Sequence, residues 1–396
     1  MMDEIQTAIQ RRLDALVAGG AETGLQVAVY RDGEQLVDAV AGTADPATGR
    51  AMTSGTPVFS FSTGKNVVAT LAHLLVTRGY LDDAGPVTDL WPEFGVHGKD
   101  TATLRHVLTH TVGLPAMPRE ITPDRLPDWS GVCESLAAAE PRWRPGAAVG
   151  YHSYTFGYLV GELARRATGR PVHELLREWI TAPLGLEGQL SFAVPQESLP
   201  RLARLEQQSW QWPGGAGDAA SGADADSDAD ADNDADADSD ADADSDGDGK
   251  DDAILAPWES RPSARLGNDE HILRADIPSV ATVTARGLAV MFDAVLRGEL
   301  LGDARPSVLS SLAFEGTDRV FGTPARMAPG FPLGRIGAPA EENSVAFGWP
   351  GGGGSYAFAD PASGIAFALT KTRLVPNFDT ALSVMTILAD QLAGPR

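Results

Sequence analysis

Apolar positions recur along this chain with two distinct periods. Residues 5–17 carry them at helical spacing, whereas 25–30 and 35–41, joined through Arg31-Asp32-Gly33-Glu34, read as the two arms of a hairpin. Residues 57–61 predict a short strand or turn. Helical spacing then resumes through Asn66, Val67, Val68, Ala69, Leu71, Leu74 and Leu75, with Gly79 placed as a C′ glycine. Thr103 can cap a short helix through Leu104, Val107 and Leu108. Two further helices are predicted over 156–167 and 172–180, separated by Thr168-Gly169-Arg170-Pro171. Later, 282–296 predicts a helix, 344–348, 355–359 and 364–369 predict strands, and 379–392 predicts a closing helix. Strands at both ends with helices between imply an α+β arrangement: the termini build one lobe around a sheet, and an all-helical lobe is inserted between them.

At 396 residues and 43% hydrophobic content the chain can bury a sizeable core. The expectation is one two-lobed domain over residues 1–396, interrupted by an acidic low-complexity insertion at 213–257. No stretch approaches the ~20 apolar residues of a membrane-spanning helix. The acidic start, Met1-Met2-Asp3-Glu4, lacks the basic and apolar regions of a signal peptide, so cytoplasmic residence is the expectation. A single cysteine, Cys133, excludes an intrachain disulfide and a cysteine-based zinc site, and its surroundings read as core.

The formal charge of −23 changes this picture less than its size suggests, because residues 218–252 hold sixteen Asp and one Lys and so carry −15 of it. The remaining body is mildly acidic and has no basic cluster for nucleic acid. From Ala223 to Asp246 the hexapeptide Ala-Asp-Ala-Asp-Ser/Asn-Asp repeats four times, a composition with nothing to bury, which predicts disorder. The run 242–249 mimics the first half of an EF-hand loop, but its twelfth position is Ala253 where the loop needs Glu. Loose divalent-cation association is therefore expected in preference to a specific calcium site.

The candidate chemistry begins at Ser62-Thr63-Gly64-Lys65. On a helix the S-x-x-K spacing puts hydroxyl and amine on one face, one turn apart, so the lysine can take the serine's proton; free N–H groups at a helix start can hold an oxyanion. The local pattern equally fits a capping Ser/Thr followed by a solvated lysine. Tyr151, on a loop after the Trp143-Arg144-Pro145-Gly146 turn, is a candidate general base, its pKa expected to fall under the lysine's positive charge. In Trp349-Pro350-Gly351-Gly352-Gly353-Gly354, Gly351 or Gly352 could supply a second oxyanion N–H, since Pro350 has none. His110 reads as a packing or supporting residue beside the Gly113 turn. Lys371-Thr372-Arg373 comes too late in the chain to serve as a K-T-G box, and His173-Glu174 lacks the second histidine of a zinc helix.

Ser62-x-x-Lys65, Leu108-Thr109-His110-Thr111-Val112-Gly113-Leu114-Pro115, Trp143-x-Pro145-Gly146 leading to Tyr151-x-Ser153, and Trp349-x-Gly351 before Phe358-Ala359-Asp360-Pro361 together resemble the class C β-lactamase-related serine hydrolases. Within these the chain is most similar to the family VIII carboxylesterases, in order and spacing across nearly its whole length outside the acidic insertion. The resemblance implies a β-lactamase/penicillin-binding-protein-like fold, with an antiparallel sheet flanked by helices plus the helical lobe. It also implies an acyl-enzyme on Ser62, proton shuttling by Lys65 and Tyr151, and an oxyanion held by the N–H groups of Ser62 and Gly352. Ser153 stands where β-lactamases commonly carry Asn, and Trp349 where they carry Lys or His, which argues against recognition of a β-lactam. The expected substrate is a small-molecule ester, with no cofactor, metal, nucleic-acid partner or membrane. Acyl transfer, β-lactam hydrolysis and D-amino-acid amide hydrolysis are alternatives on the same residues; a non-catalytic binding protein with a cation-responsive Asp loop is the alternative from another class.

Overall fold

A computed structural model of the protein describes residues 2–207, 262–338 and 344–393. The insertion expected at 213–257, its Asp repeats and the EF-hand-like run lie outside the described residues.

Helix α1 (Met2–Ala18) precedes the hairpin of β1 (Gly24–Arg31) and β2 (Glu34–Asp45), and the two-residue strand β3 (Arg50–Ala51) follows. The hairpin turns at Asp32 and Gly33, both at positive φ (54° and 83°), as a tight turn with matching twist requires. Helix α2 (Gly64–Thr77) ends at Gly79, whose φ of 76° suits a C′ glycine. Then come α3 (Thr155–Thr168), α4 (Ala285–Leu296), β4 (Tyr356–Asp360), β5 (Ile365–Lys371) and α5 (Asp379–Ala393). The C-terminal hairpin joins the N-terminal one in a single antiparallel sheet of order β4-β5-β1-β2-β3, in which Leu25 faces Lys371 and Arg31 faces Ile365.

Side chains along β1 alternate between two cores. Leu25, Val27 and Val29 join Ile5, Ile9 and Leu13 of α1 and Val384 and Leu388 of α5, whereas Ala28 and Tyr30 face the core that includes Leu288 and Phe292 of α4. Burial on both faces explains why the strand reads as one apolar run. Buried Gln26 joins sheet to helices: its amide donates to the carbonyls of Thr53 (2.6 Å) and Thr56 (2.8 Å), and its Oε1 accepts from the Ala285 N–H and the Thr370 hydroxyl.

Three predicted elements differ. The helix expected over 282–296 starts at Ala285, because Thr282–Val283 is a strand and the Thr284 hydroxyl accepts the Gly287 N–H at 2.8 Å, capping the helix three residues late. The helix expected over 172–180 is α-helical only for Val172–Leu176 and then widens into a π turn, Arg177–Thr181. No strand forms over 344–348; Phe347 makes isolated bridges to Leu333 and Ala359, and Pro350, two residues after Gly348, lacks the N–H to extend a ladder. Among the described residues no helix is long and apolar enough to cross a membrane.

Three buried histidines make stability depend on pH. Burial depresses His73 to about 4, His152 to about 3, and His110 well below the usual 6.5. A depressed folded-state pKa means that the unfolded chain binds the extra proton, so this stability is complete above pH 6.5 and is lost as pH falls toward 4. For His73 alone the loss is roughly 3 kcal/mol. Urea unfolding of His73→Phe between pH 7.5 and 4 should show a shallower decline than the parent, by up to about 1.4 kcal/mol per pH unit; parallel slopes would show that His73 is not kept neutral.

Candidate active site

The strand Val58–Phe59 pairs with Thr282–Val283, and the Ser60 N–H donates to the Ala281 carbonyl at 2.9 Å. The chain then turns sharply at Phe61, whose φ is +46°, a conformation costing of the order of 1–3 kcal/mol in a bulky residue. Burial of the Phe61 ring, packed edge-on against Phe59 at 5.0 Å, holds it there. Ser62 lies in the single 3-10 turn Phe61–Thr63 that leads into α2. Gly64 lets α2 begin against backbone: a Cβ there would sit 2.4 Å from the Val280 carbonyl carbon. That contact brings the Ser279 carbonyl to 3.5 Å from Lys65 Nζ.

One turn after Ser62, Lys65 Nζ donates to Ser62 Oγ at 3.1 Å, and on the other side Ser62 Oγ and the Tyr151 hydroxyl share a hydrogen bond of 2.6 Å. The lysine is fully buried and no carboxylate among the described residues pairs with it, so desolvation holds its pKa well below the ordinary 10.5. This corrects the expectation for Tyr151. Burial pushes its pKa up, aided by the Asp318 carboxylate and opposed by the hydroxyls of Ser62 and Ser153, the opposite of the fall expected beside a lysine charge. Lys65 Nζ lies 4.9 Å from the centre of the Tyr151 ring.

Tyr151 is held by a histidine network that joins the segment 110–114 to 150–152. The His152 N–H donates to His110 Nδ1 (2.8 Å), and His152 Nε2 accepts the Leu114 N–H (2.9 Å). These bonds place the His152 proton on Nδ1, facing the Gly150 carbonyl at 2.6 Å, and the His110 proton on Nε2, which has no partner. The His110 ring lies parallel to both Phe156 (4.6 Å) and Tyr151 (5.7 Å). His110 is thus a supporting residue at a left-handed φ of 58°, in direct contact with Tyr151.

The glycine block docks through Asn66 of α2. Its Oδ1 accepts the Trp349 N–H at 2.7 Å, and its amide donates to the Trp349 carbonyl at 3.2 Å. Trp349 is nearly buried, packed on His110 (4.8 Å) and Tyr151 (5.4 Å), with its indole N–H on the Gly330 carbonyl at 2.7 Å. A Cβ on Gly351 would lie 2.3 Å from the Ser60 carbonyl oxygen, so the block lies directly against the nucleophile turn. The Gly351 N–H donates to the Ser355 carbonyl at 2.8 Å, which spends it on the turn; the N–H groups of Ser62 and Gly352 have no hydrogen-bond partner among the described residues.

Sequence reasoning missed three parts of this arrangement. Ser279 takes the Gly157 N–H at 2.7 Å and donates to the Tyr154 carbonyl, tying α3 to the lysine's neighbour. Asp318 accepts the N–H groups of Val320 and Phe321, closing a turn that lays the exposed Phe321 ring 5.4 Å from that of Tyr151. Asn66 read only as one more residue on the apolar face of α2. Lys371, set aside in the sequence, is buried in an ion pair with Glu22, which also accepts from Thr380. Cys133 is buried, and burial raises its thiol pKa. Among the described residues no three His, Cys, Asp or Glu side chains converge to hold a metal ion.

Two substitutions separate these constraints. Gly351→Ala must displace backbone and should lower unfolding free energy by about 1–3 kcal/mol in urea; an unchanged midpoint would mean that the block does not press on Ser60. Lys65→Met removes an amine buried without a counter-ion and should raise the melting temperature; a lower one would show that the amine is better solvated than its burial implies.

Comparison with known proteins places this geometry. The family model described as Beta-lactamase matches residues 9–389. The chain is 31% identical over 373 residues to a Mycobacterium tuberculosis protein named Esterase/beta-lactamase LipL, covering 93% of this chain and 81% of the relative. A crystal structure of a family VIII carboxylesterase superimposes with TM-score 0.81 at 25% identity, and that of a novel penicillin-binding protein homolog from Caulobacter crescentus with 0.80 at 29%; each likeness covers 98% of this chain and 97% of the other. The antiparallel sheet with flanking helices and the S-x-x-K turn have the same explanation as the match over 9–389: the chain belongs to the beta-lactamase family.

Proposed function

We propose that the protein is a serine hydrolase of carboxylesterase type, cleaving small to medium acyl esters through an acyl-enzyme on Ser62. The observation that carries this is the position of Ser62 Oγ, between Lys65 Nζ at 3.1 Å and the Tyr151 hydroxyl at 2.6 Å. As the Oγ–carbon bond forms, the buried amine takes the serine proton, and the free N–H groups of Ser62 and Gly352 receive the oxyanion. Collapse breaks the bond to the alkoxy oxygen, which takes its proton from the Tyr151 phenol; the lysine ammonium then restores the phenol. In deacylation water takes the nucleophile's part, giving its proton to the amine as its oxygen bonds the acyl carbon, and Ser62 Oγ leaves with a proton from the Tyr151 phenol.

The names of similar proteins support the reading, since one joins esterase with beta-lactamase and another is a family VIII carboxylesterase. Between those activities, Trp349 and Ser153 favour esters: the indole is packed on Tyr151 and His110, and neither residue supplies the cation or amide that a β-lactam would meet. One domain interrupted at 213–257, cytoplasmic residence, no nucleic-acid or membrane partner and loose cation association at 218–252 belong to the same reading, on the composition of the chain.

Ser62→Ala should lose both fluorophosphonate labelling, read by intact mass, and p-nitrophenyl butyrate hydrolysis by roughly a thousandfold or more; retained turnover sinks the assignment. Tyr151→Phe should lose roughly a hundredfold or more on ethyl butyrate and much less on the p-nitrophenyl ester, whose leaving group needs no proton. Equal losses would remove the acid role. Because Lys65 works deprotonated, kcat/KM should rise with pH through an ionisation below the usual lysine value of 10.5.

A further inference from the structure

A cavity of about 350 Å³ lies away from Ser62, and none of Ser62, Lys65, Tyr151, Trp349 or Gly351 lines it. Its walls come from the π turn Arg177–Thr181, the segment from Glu187 to Leu202, and Thr282 of the strand paired to Val58–Phe59. Leu190, Phe192, Val194 and Leu202 supply apolar wall and are themselves nearly buried. A volume in this range with a mostly apolar lining and a few polar groups is that of a small-molecule site.

Charge at the lining is not balanced. Arg177 and Arg201 both contribute to it, both are exposed, and neither guanidinium has an ion-pair or hydrogen-bond partner among the described residues. The Arg201 guanidinium reaches over Gly188, where Nη1 would lie 3.4 Å from an added Cβ. His173 also lines the cavity, with Nδ1 held on Asp276 at 2.9 Å. Glu187 is the single carboxylate of the lining, against two guanidinium groups. A neutral apolar ligand would leave both arginines unused, and a bare inorganic anion would leave the apolar wall wet.

We propose that this cavity is a second ligand site, separate from Ser62, which takes a carboxylate carrying an apolar chain. The chain lies against Leu190, Phe192, Val194 and Leu202, and the carboxylate meets Arg177 and Arg201, whose forked donors match its two oxygens. Nothing in this assignment depends on the chemistry proposed for Ser62.

Calorimetric titration of the full chain with octanoate, octanol and acetate tests it, on the parent, on Ser62→Ala and on the double variant Arg177→Ala/Arg201→Ala. Both arginines are exposed and unpaired, so the double variant should keep the parent's melting temperature. Octanoate should bind the parent and Ser62→Ala alike, and the double variant about tenfold or more weakly; octanol and acetate should each bind the parent about tenfold or more weakly than octanoate. Equal octanoate affinity in parent and double variant would place the binding elsewhere, octanol binding as tightly as octanoate would remove the carboxylate from the recognition, and absence of heat with octanoate up to millimolar concentration would overturn the site altogether.

Discussion

A lysine amine buried without a counter-ion is the constraint on which the site depends. The protein contains its own comparison: Lys371 is as thoroughly buried as Lys65, yet it pairs with Glu22, whereas the polar partners of Lys65 among the described residues are the Ser62 hydroxyl and the Ser279 carbonyl, with the face of Tyr151 beside them. Desolvation lowers the pKa of both amines; at Lys371 the Glu22 carboxylate opposes it, whereas at Lys65 no charge does and the shift is larger. Several features otherwise unrelated in sequence serve that environment. Gly64 admits the Val280 backbone, Gly157 admits Ser279 from the side of α3, and Gly351 admits the Ser60 carbonyl, so that three backbone segments pack closely around the turn that carries Ser62 and Lys65.

Part of the strain and of the unsatisfied polarity lies at the site. Phe61 and His110 hold positive φ within the site, and the His110 Nε2 proton and the Tyr154 hydroxyl are buried without partners nearby. In the five-stranded sheet the β1–β5 pairing runs in continuous register from Leu25–Lys371 to Arg31–Ile365, and the buried Gln26 amide is bonded through both Nε2 and Oε1. A well-satisfied sheet and two apolar cores supply the stability against which a strained, partly unsatisfied site can be held.

What the sequence made legible follows from the range of each interaction. The hairpin, α1, α2 with its Gly79 stop and the Thr103 cap rest on contacts within a few residues, and so local pattern sufficed. The four ordered motifs carried the fold, because their spacing samples the whole chain. The missed elements depend on distant contacts: Thr282–Val283 is extended because it pairs with Val58–Phe59 and Leu190–Ser191, hundreds or scores of positions away. The direction of the Tyr151 shift was misjudged for the same reason. Sequence shows a lysine and a tyrosine and suggests charge, while burial, which only the folded chain defines, works against the charged form of both.

The position of the long acidic stretch also has a physical reason. The chain before residue 208 is pinned by the parallel pairing of Glu206–Gln207 with Arg373–Leu374, and by Asn268, whose amide both accepts the Leu205 N–H and donates to the Leu205 carbonyl at 2.9 Å. The chain after residue 261 is pinned where the Ala264 N–H donates to Gln207 Oε1, also at 2.9 Å. The two ends of the segment are therefore fastened to each other by side-chain bonds that do not involve it. The sixteen aspartates of 218–252 fall between these two fastened ends.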